Sequence, residues 1–356
     1  MSLATAHPTT DLHLPLPPDG VAWDPHTIHT HYFGFSIPEA QIGCFIYIRY
    51  QPAFRLCGAG VSIYQGTDNH TPLDASHLDY VATAPWPEIH GTTITTMNGL
   101  TIDFLEPGRM ATIRYESSDG RASFFITQTA LTALVARGHV MPGEEDHHSR
   151  MGASGGSEQF MHCTGTLTLG SQTFPIDCTS VRDRSWSQVR TEQRPSVDIP
   201  PIGWSPMYFG PDLAVNQVGW EHPDTNPAWA DLHNLPPDQP THHFGYVMTG
   251  SEIRPIVDVR RNVLEYDPVE FSALRQELDI RDDIGREFHF DGEAIALCPV
   301  PAWPNLMAHD SVYRWKDSAG RFSFGPYQEM WSQTYHHAMV RGRRANLDEL
   351  RRSVDV

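Results

Sequence analysis

From His29 onward the chain is built of short, alternating apolar runs that recur about every 10–20 residues, each closed by Gly, Pro, Asn or Asp. A period of two places successive side chains on opposite faces of a strand, so this spacing constrains the fold more than any other feature. The clearest run is Gly43-Cys44-Phe45-Ile46-Tyr47-Ile48-Arg49-Tyr50. Gly60–Gln65, Leu78–Ala82, Leu100–Phe104, Ala111–Glu116 and Ala122–Thr127 repeat the pattern, and Ser117-Ser118-Asp119-Gly120 is a tight-turn sequence. A second series runs from Met207 to His336. Helical signals are scarce: two turns over Thr129–Arg137, and a C-terminal helix over Asn346–Arg352 with Asn346 as its N-cap. The class expected is all-β, a sandwich or barrel with few short helices.

The irregular stretches divide this pattern. Residues 1–25 are Pro-rich and aperiodic, a tail or a strap across the surface. His139 to Ser157 is rich in Gly, Ser and acids and reads as a mobile loop. Arg194 to Pro206 holds four prolines and reads as a connection between domains, and Asn226 to Pro240 as a further Pro-rich loop. The division expected is a tail over 1–25, a first domain over 26–193, a connection over 194–206, a second domain over 207–345, and a helix or tail over 346–356.

At 356 residues with 40% hydrophobic content, the chain can bury two cores. No apolar run approaches the roughly 18 residues of a membrane span, and residues 1–25 hold no signal-like apolar stretch. A soluble, cytoplasmic protein without integral membrane contact is expected. The net charge of -18 repels nucleic acid and anionic lipid surfaces alike. Cys44, Cys57, Cys163, Cys178 and Cys298 form an odd set with no Cys-x-x-Cys pair. Cys163 and Cys178 flank one expected hairpin and read as buried free thiols. The pairs His147-His148, His242-His243 and His336-His337 do not chelate from a strand, because neighbours point apart, whereas His29 and His31 share a face. Glu144-Glu145-Asp146-His147-His148 lies in a Gly-flanked loop too flexible for a preorganised site. No metal site and no cofactor are expected, and a Gly-x-Ser-x-Gly elbow, a phosphate loop and a dinucleotide fingerprint are all missing.

The charged segment Val181-Arg182-Asp183-Arg184-Ser185-Trp186-Ser187 follows a strand-like run, Gly165–Gly170. It resembles the Arg-Asp-His-Ser-Trp-Gly signature of the carotenoid 1,2-hydratase (hydroxyneurosporene synthase)-like family. The likeness extends through a hairpin from Glu158 to Trp186, a strand opened by Phe244-Gly245-Tyr246 and a return strand from Ile253 to Tyr266. Leu278 to Glu287 then reads as strand, acidic turn and strand, and Phe324-Gly325-Pro326-Tyr327-Gln328-Glu329 as the closing strand. The resemblance implies two consecutive lipocalin-like antiparallel β domains, with the signature's His and Trp implicated in catalysis. Trp186 carries over by position. Arg184 stands in the place of that His and cannot deliver a proton near neutral pH; Ser187 stands in the place of Gly.

Several residues are candidates for chemistry. Asp183 between Arg182 and Arg184 should have a depressed pKa, suited to positioning or to stabilising a cation; the alternative is a buried ion pair locking the domains. His243, beside Phe244 and Tyr246, is a candidate acid or base. Glu329 lies in a stripe with Tyr327 and Trp331, where desolvation raises a carboxyl toward general-acid use; the alternative is a rim residue paired with an Arg. Tyr208, Asn216, Tyr246, Tyr327 and Trp331 are the candidate substrate contacts. The reading is a cofactor-independent lyase of hydratase or dehydratase type acting on a small hydrophobic isoprenoid or aromatic substrate. A carrier of hydrophobic ligands and a cofactor-free pericyclase or isomerase are the alternatives.

Overall fold

The computed structural model describes residues 5–137, 144–145, 155–190, 200–221, 241–303 and 305–354. Its strands form two antiparallel sheets. In the first, Thr27–Ile37, Ile42–Gln51, Leu56–Gln65 and His77–Pro85 pair in sequence. Thr27–Ile37 also pairs with the long strand Gln172–Arg190, which forms a hairpin with Gly155–Leu169. Ala122–Ala130, Met110–Glu116, Thr101–Glu106, Thr93–Thr95 and Glu88–His90 complete the sheet, whose two ends stay unjoined: a half-barrel. In the second, Ile202–Trp204 pairs with both Ala214–Trp220 and Phe322–Ser332, closing an eight-stranded barrel. The protein is thus an all-β, two-domain fold.

Alternation along the strands sorts side chains into three regions. One face of the first sheet carries Phe33, Phe35, Ile46, Ile48, Val61, Cys163 and Cys178 into the half-barrel core. Its other face carries Tyr32, Phe45, Tyr47, Tyr64 and Val181 against Trp204, Val218, Trp220 and Val312 of the second barrel. The barrel's own core is aromatic, with Phe290, Tyr313, Trp315 and Tyr327. Cys163 and Cys178 are cross-strand partners, and all five thiols are free and buried.

Several expectations need correction. Thr129–Arg137 is not helical: Ala122–Ala130 continues through Thr129, and Val135–Arg137 pairs with Gly156–Glu158. Gly155–Ser157, read as loop, begins a long strand; most of the acidic His-containing run lies outside the described residues, as does Asn226–Pro240. Ile202–Trp204, placed in the connection, is the strand that closes the barrel. The C-terminal helix starts at Gln333 and runs to Val354, anchored by Tyr335 against Trp331 and Phe271, so Asn346 lies inside it. No helix among the described residues is long and apolar enough to cross a membrane.

The N-terminal segment is a strap. Thr5 bridges to Val135, and Pro8–Leu12 forms a short 3-10 helix that buries Asp11. Asp11 accepts from the Gly108 amide (2.6 Å) and from Arg182 Nη1 (2.9 Å). His31 and His29 bond the carbonyls of Asp11 and Pro15, each at 2.9 Å. Burial lowers both imidazoles, His29 to about 3, so these ties are made by neutral rings.

Ser187 stands at a position whose backbone favours Gly. The register between Thr27–Ile37 and Gln172–Arg190 slips between Ile28 and Thr30, and Ser187 adopts φ +54° at this bulge. A left-handed residue with a Cβ costs about 1–2 kcal/mol, partly offset because Gly loses more entropy on folding. Ser187→Gly should therefore raise stability by ~0.5 kcal/mol in urea denaturation, and Ser187→Val should lower it by ~2 kcal/mol or more.

Candidate active site

The hairpin turn Gly170-Ser171 sets the site's register. Leu169 faces Gln172, and eleven residues further out on each arm Glu158 faces Asp183. Directly opposed residues of an antiparallel pair share a face, here the one toward the second barrel. The two carboxyls lie close enough for each to act on the other's ionisation. Asn216 Nδ2, from the facing barrel, donates to Glu158 Oε2. Burial is the main cause that pushes Glu158 well above the ordinary carboxyl range, and the charge of Asp183 adds to it. Burial also raises Asp183, opposed chiefly by Arg137, Arg190 and Arg184. Two buried carboxyls this close resist ionising together, so both are shifted upward, Glu158 the more strongly.

This is opposite to the depressed pKa expected for Asp183, and the strand period explains the difference. Arg182 and Arg184 flank Asp183 in sequence but leave the strand on its other face. Arg182 bonds Asp11 and Gln159. Arg184 donates to the carbonyls of Thr10 (3.3 Å), Thr30 (2.9 Å), Ser185 (2.5 Å) and His13, so it clamps the strap. Trp186 lies on that same face, edge-on to His13 and 5.9 Å from the Arg184 guanidinium. The signature thus divides: Arg182, Arg184 and Trp186 hold the half-barrel to its strap, and Asp183 points into the space between the domains.

That space is a partly open cleft of about 80 Å³. Glu158, Asp183, Arg137, Arg190, Tyr47, Trp204 and Trp303 are among its walls. The guanidiniums of Arg190 and Arg49 sit 4.4 and 4.8 Å from the Trp303 ring centroid. The acids and arginines share this lining with aromatic rings and with Thr30, Val218, Gln328 and Met330.

The other expected residues distribute unevenly. Asn216 reaches the acids, and Tyr246 is buried beside it against Phe244. Tyr208 packs on Phe160 at the same interface. His243 sits at a bulge, where the pairing passes from Val218–Phe244 to Gly219–His242, and is not among the residues that line the cleft. Glu329, Tyr327 and Trp331 are not brought to the acids; they point into the second barrel. There Glu329 takes Arg261 Nη2 on one oxygen and the Ala273 amide on the other (2.7 Å), which corresponds to the Arg-paired alternative but fully buried. Glu158 was missed as a candidate, although counting outward from the Gly170 turn finds it.

A third interfacial acid, Asp310, receives Tyr64 Oη at 2.6 Å and Gln328 Nε2 at 2.9 Å. Burial, against these hydrogen bonds, raises it to about 7. A carboxyl with a raised folded-state pKa binds more protons folded than unfolded, so its contribution is present at low pH and lost as pH rises from ~4 to 7. Three pKa units correspond to ~4 kcal/mol. Thermal denaturation should accordingly show the Tm of Asp310→Asn rising relative to that of wild type across this window.

With the geometry in hand, the chain can be compared with known proteins. It belongs to the DUF7064 family, a domain of unknown function, whose profile matches residues 20–332. No curated protein matches it in sequence. Among solved structures it is similar to an AttH-type protein of Nitrosomonas europaea at 11% identity and TM-score 0.54, covering 89% of this chain and 99% of that one. It is also similar to kievitone hydratase from Nectria haematococca at 11% identity and TM-score 0.52, covering 94% of each chain. The two-domain β fold is therefore shared with these two proteins.

Proposed function

We propose that the protein is a cofactor-independent hydro-lyase acting on a small hydrophobic isoprenoid or aromatic substrate at the interface of its two domains. The observation that carries this reading is the cross-strand pair of buried carboxyls, Glu158 and Asp183, which lines a cleft with aromatic walls between the domains. Addition of water to a double bond needs a proton delivered to carbon and a base to take one from water; elimination reverses both transfers. A dyad holding one proton supplies an acid and a base within the same site, each step worth about 10²–10⁴-fold. Glu158 is the proton donor and Asp183 the acceptor, with Asn216 orienting Glu158. Tyr47, Trp204 and Trp303 provide the apolar walls, while Trp186, the catalytic candidate that the resemblance implied, lies on the other face of its strand. The fold shared with kievitone hydratase supports this class of reaction.

The test is incubation of the purified protein, without added cofactor, with a panel of unsaturated and hydroxylated isoprenoid and aromatic compounds in oxygen-18 water. A hydro-lyase incorporates one solvent oxygen into the hydrated product or releases water from the alcohol. Compounds that bind and return unchanged indicate a carrier. Isomerised products without the heavy oxygen indicate an isomerase.

A further inference from the structure

We infer that Arg137 is an oxyanion-holding residue of the cleft, and that the substrate presents to it a carbonyl or carboxylate oxygen adjacent to the reacting carbons. The inference rests on the hydro-lyase reading of the same cleft and narrows its substrate class. Arg137 is 6% exposed and lines the cavity beside Glu158 and Asp183. Its Nε has no hydrogen-bond partner, and among the described residues no carboxylate forms an ion pair with it. The side chain is accommodated by Gly156 on the adjacent strand, where a Cβ would come within 2.8 Å of Nε. Glu158 and Asp183 feel its charge. A buried guanidinium without direct partners is costly unless something bonds it, and its planar donors match a carboxylate or carbonyl oxygen.

A cation on the substrate would be repelled at this place, whereas negative charge on an oxygen would be stabilised. The elimination then runs through an enolate. Asp183 takes the proton α to the carbonyl, and the C–H electrons move into the carbonyl, placing charge on the oxygen facing Arg137. As the C=C bond forms, Glu158 protonates the β-hydroxyl, which leaves as water with the C–O electron pair. A β-hydroxy carbonyl compound becomes an α,β-unsaturated one plus water, and the dyad ends with its single proton on Asp183.

Calorimetric titration of cinnamate and of its neutral counterpart, cinnamyl alcohol, tests the site without requiring turnover. Wild-type protein should bind cinnamate at least tenfold more tightly. Arg137→Gln should abolish that preference while still binding the alcohol, Arg137→Lys should keep part of it, and Glu158→Gln should keep it. Equal binding of the two probes by wild type, binding of neither, or a preference that survives in Arg137→Gln would each overturn the inference. A preference present in wild type and lost in Arg137→Gln, with no β-hydroxy or unsaturated carbonyl compound turned over, would instead reject the hydro-lyase reading and keep the anion site.

Discussion

Glu158→Gln should lower turnover by at least a hundredfold while leaving a protein that is more stable than wild type above pH 7. The activity loss follows from removing the carboxyl proposed as the proton donor; general-acid steps of this kind are worth about 10²–10⁴-fold. The stability gain has the opposite sign from that of most active-site losses. Because burial raises Glu158, its proton is bound more tightly in the folded state, so wild-type stability is lost as pH rises above the unfolded value near ~4.3. Gln carries no such proton, keeps the volume, and can donate its amide N–H to Asp183. Urea denaturation at pH 5 and pH 8 should therefore show wild type and variant converging at the lower pH and separating at the higher. A variant that loses activity and stability together at pH 8 would place Glu158 in a purely structural role.

The second large effect concerns the buried ion pair of the closed barrel. Arg261 is fully buried and bonds Gln276 Oε1 at 2.8 Å, the Pro201 carbonyl at 3.3 Å and Glu329. Pro201 immediately precedes the closing strand Ile202–Trp204, so the guanidinium ties the barrel seam to its interior. Arg261→Met leaves the Glu329 carboxylate buried and uncompensated and should cost about 3–5 kcal/mol. Replacing both partners, Arg261→Met with Glu329→Leu, should recover part of that loss in equilibrium denaturation, because the Glu329 charge is gone while buried Glu221, which also faces Arg261, remains. Equal losses in the single and double variants would show that packing, not charge, governs this position.

Much of the architecture could be read from spacing, because a half-buried strand writes its period into the sequence. The strands around Ile46, Val61, Ile113 and Phe124 are where alternation puts them. Thr129–Arg137 was misread because local composition favoured a helix, whereas its strand state is decided by Glu158 and Met161, residues distant in sequence. The site was half visible. Asp183 was singled out, yet its sequence neighbours were taken as its spatial neighbours. On a strand, Arg182, Arg184 and Trp186 must face away from Asp183, and the true partner is the residue equally far from the hairpin turn. The Arg261–Glu329 pair carries no comparable signal, since its members meet only through barrel closure.

The shared proton of Glu158 and Asp183 is the claim on which the rest depends, and infrared difference spectroscopy reads it directly. Subtracting the spectrum of Glu158→Gln from that of wild type at pH 7 cancels the contribution of Asp310 and isolates the dyad. The account predicts a positive carbonyl band of a protonated carboxylic acid that shifts in heavy water. A difference spectrum showing only ionised carboxylate bands would contradict it.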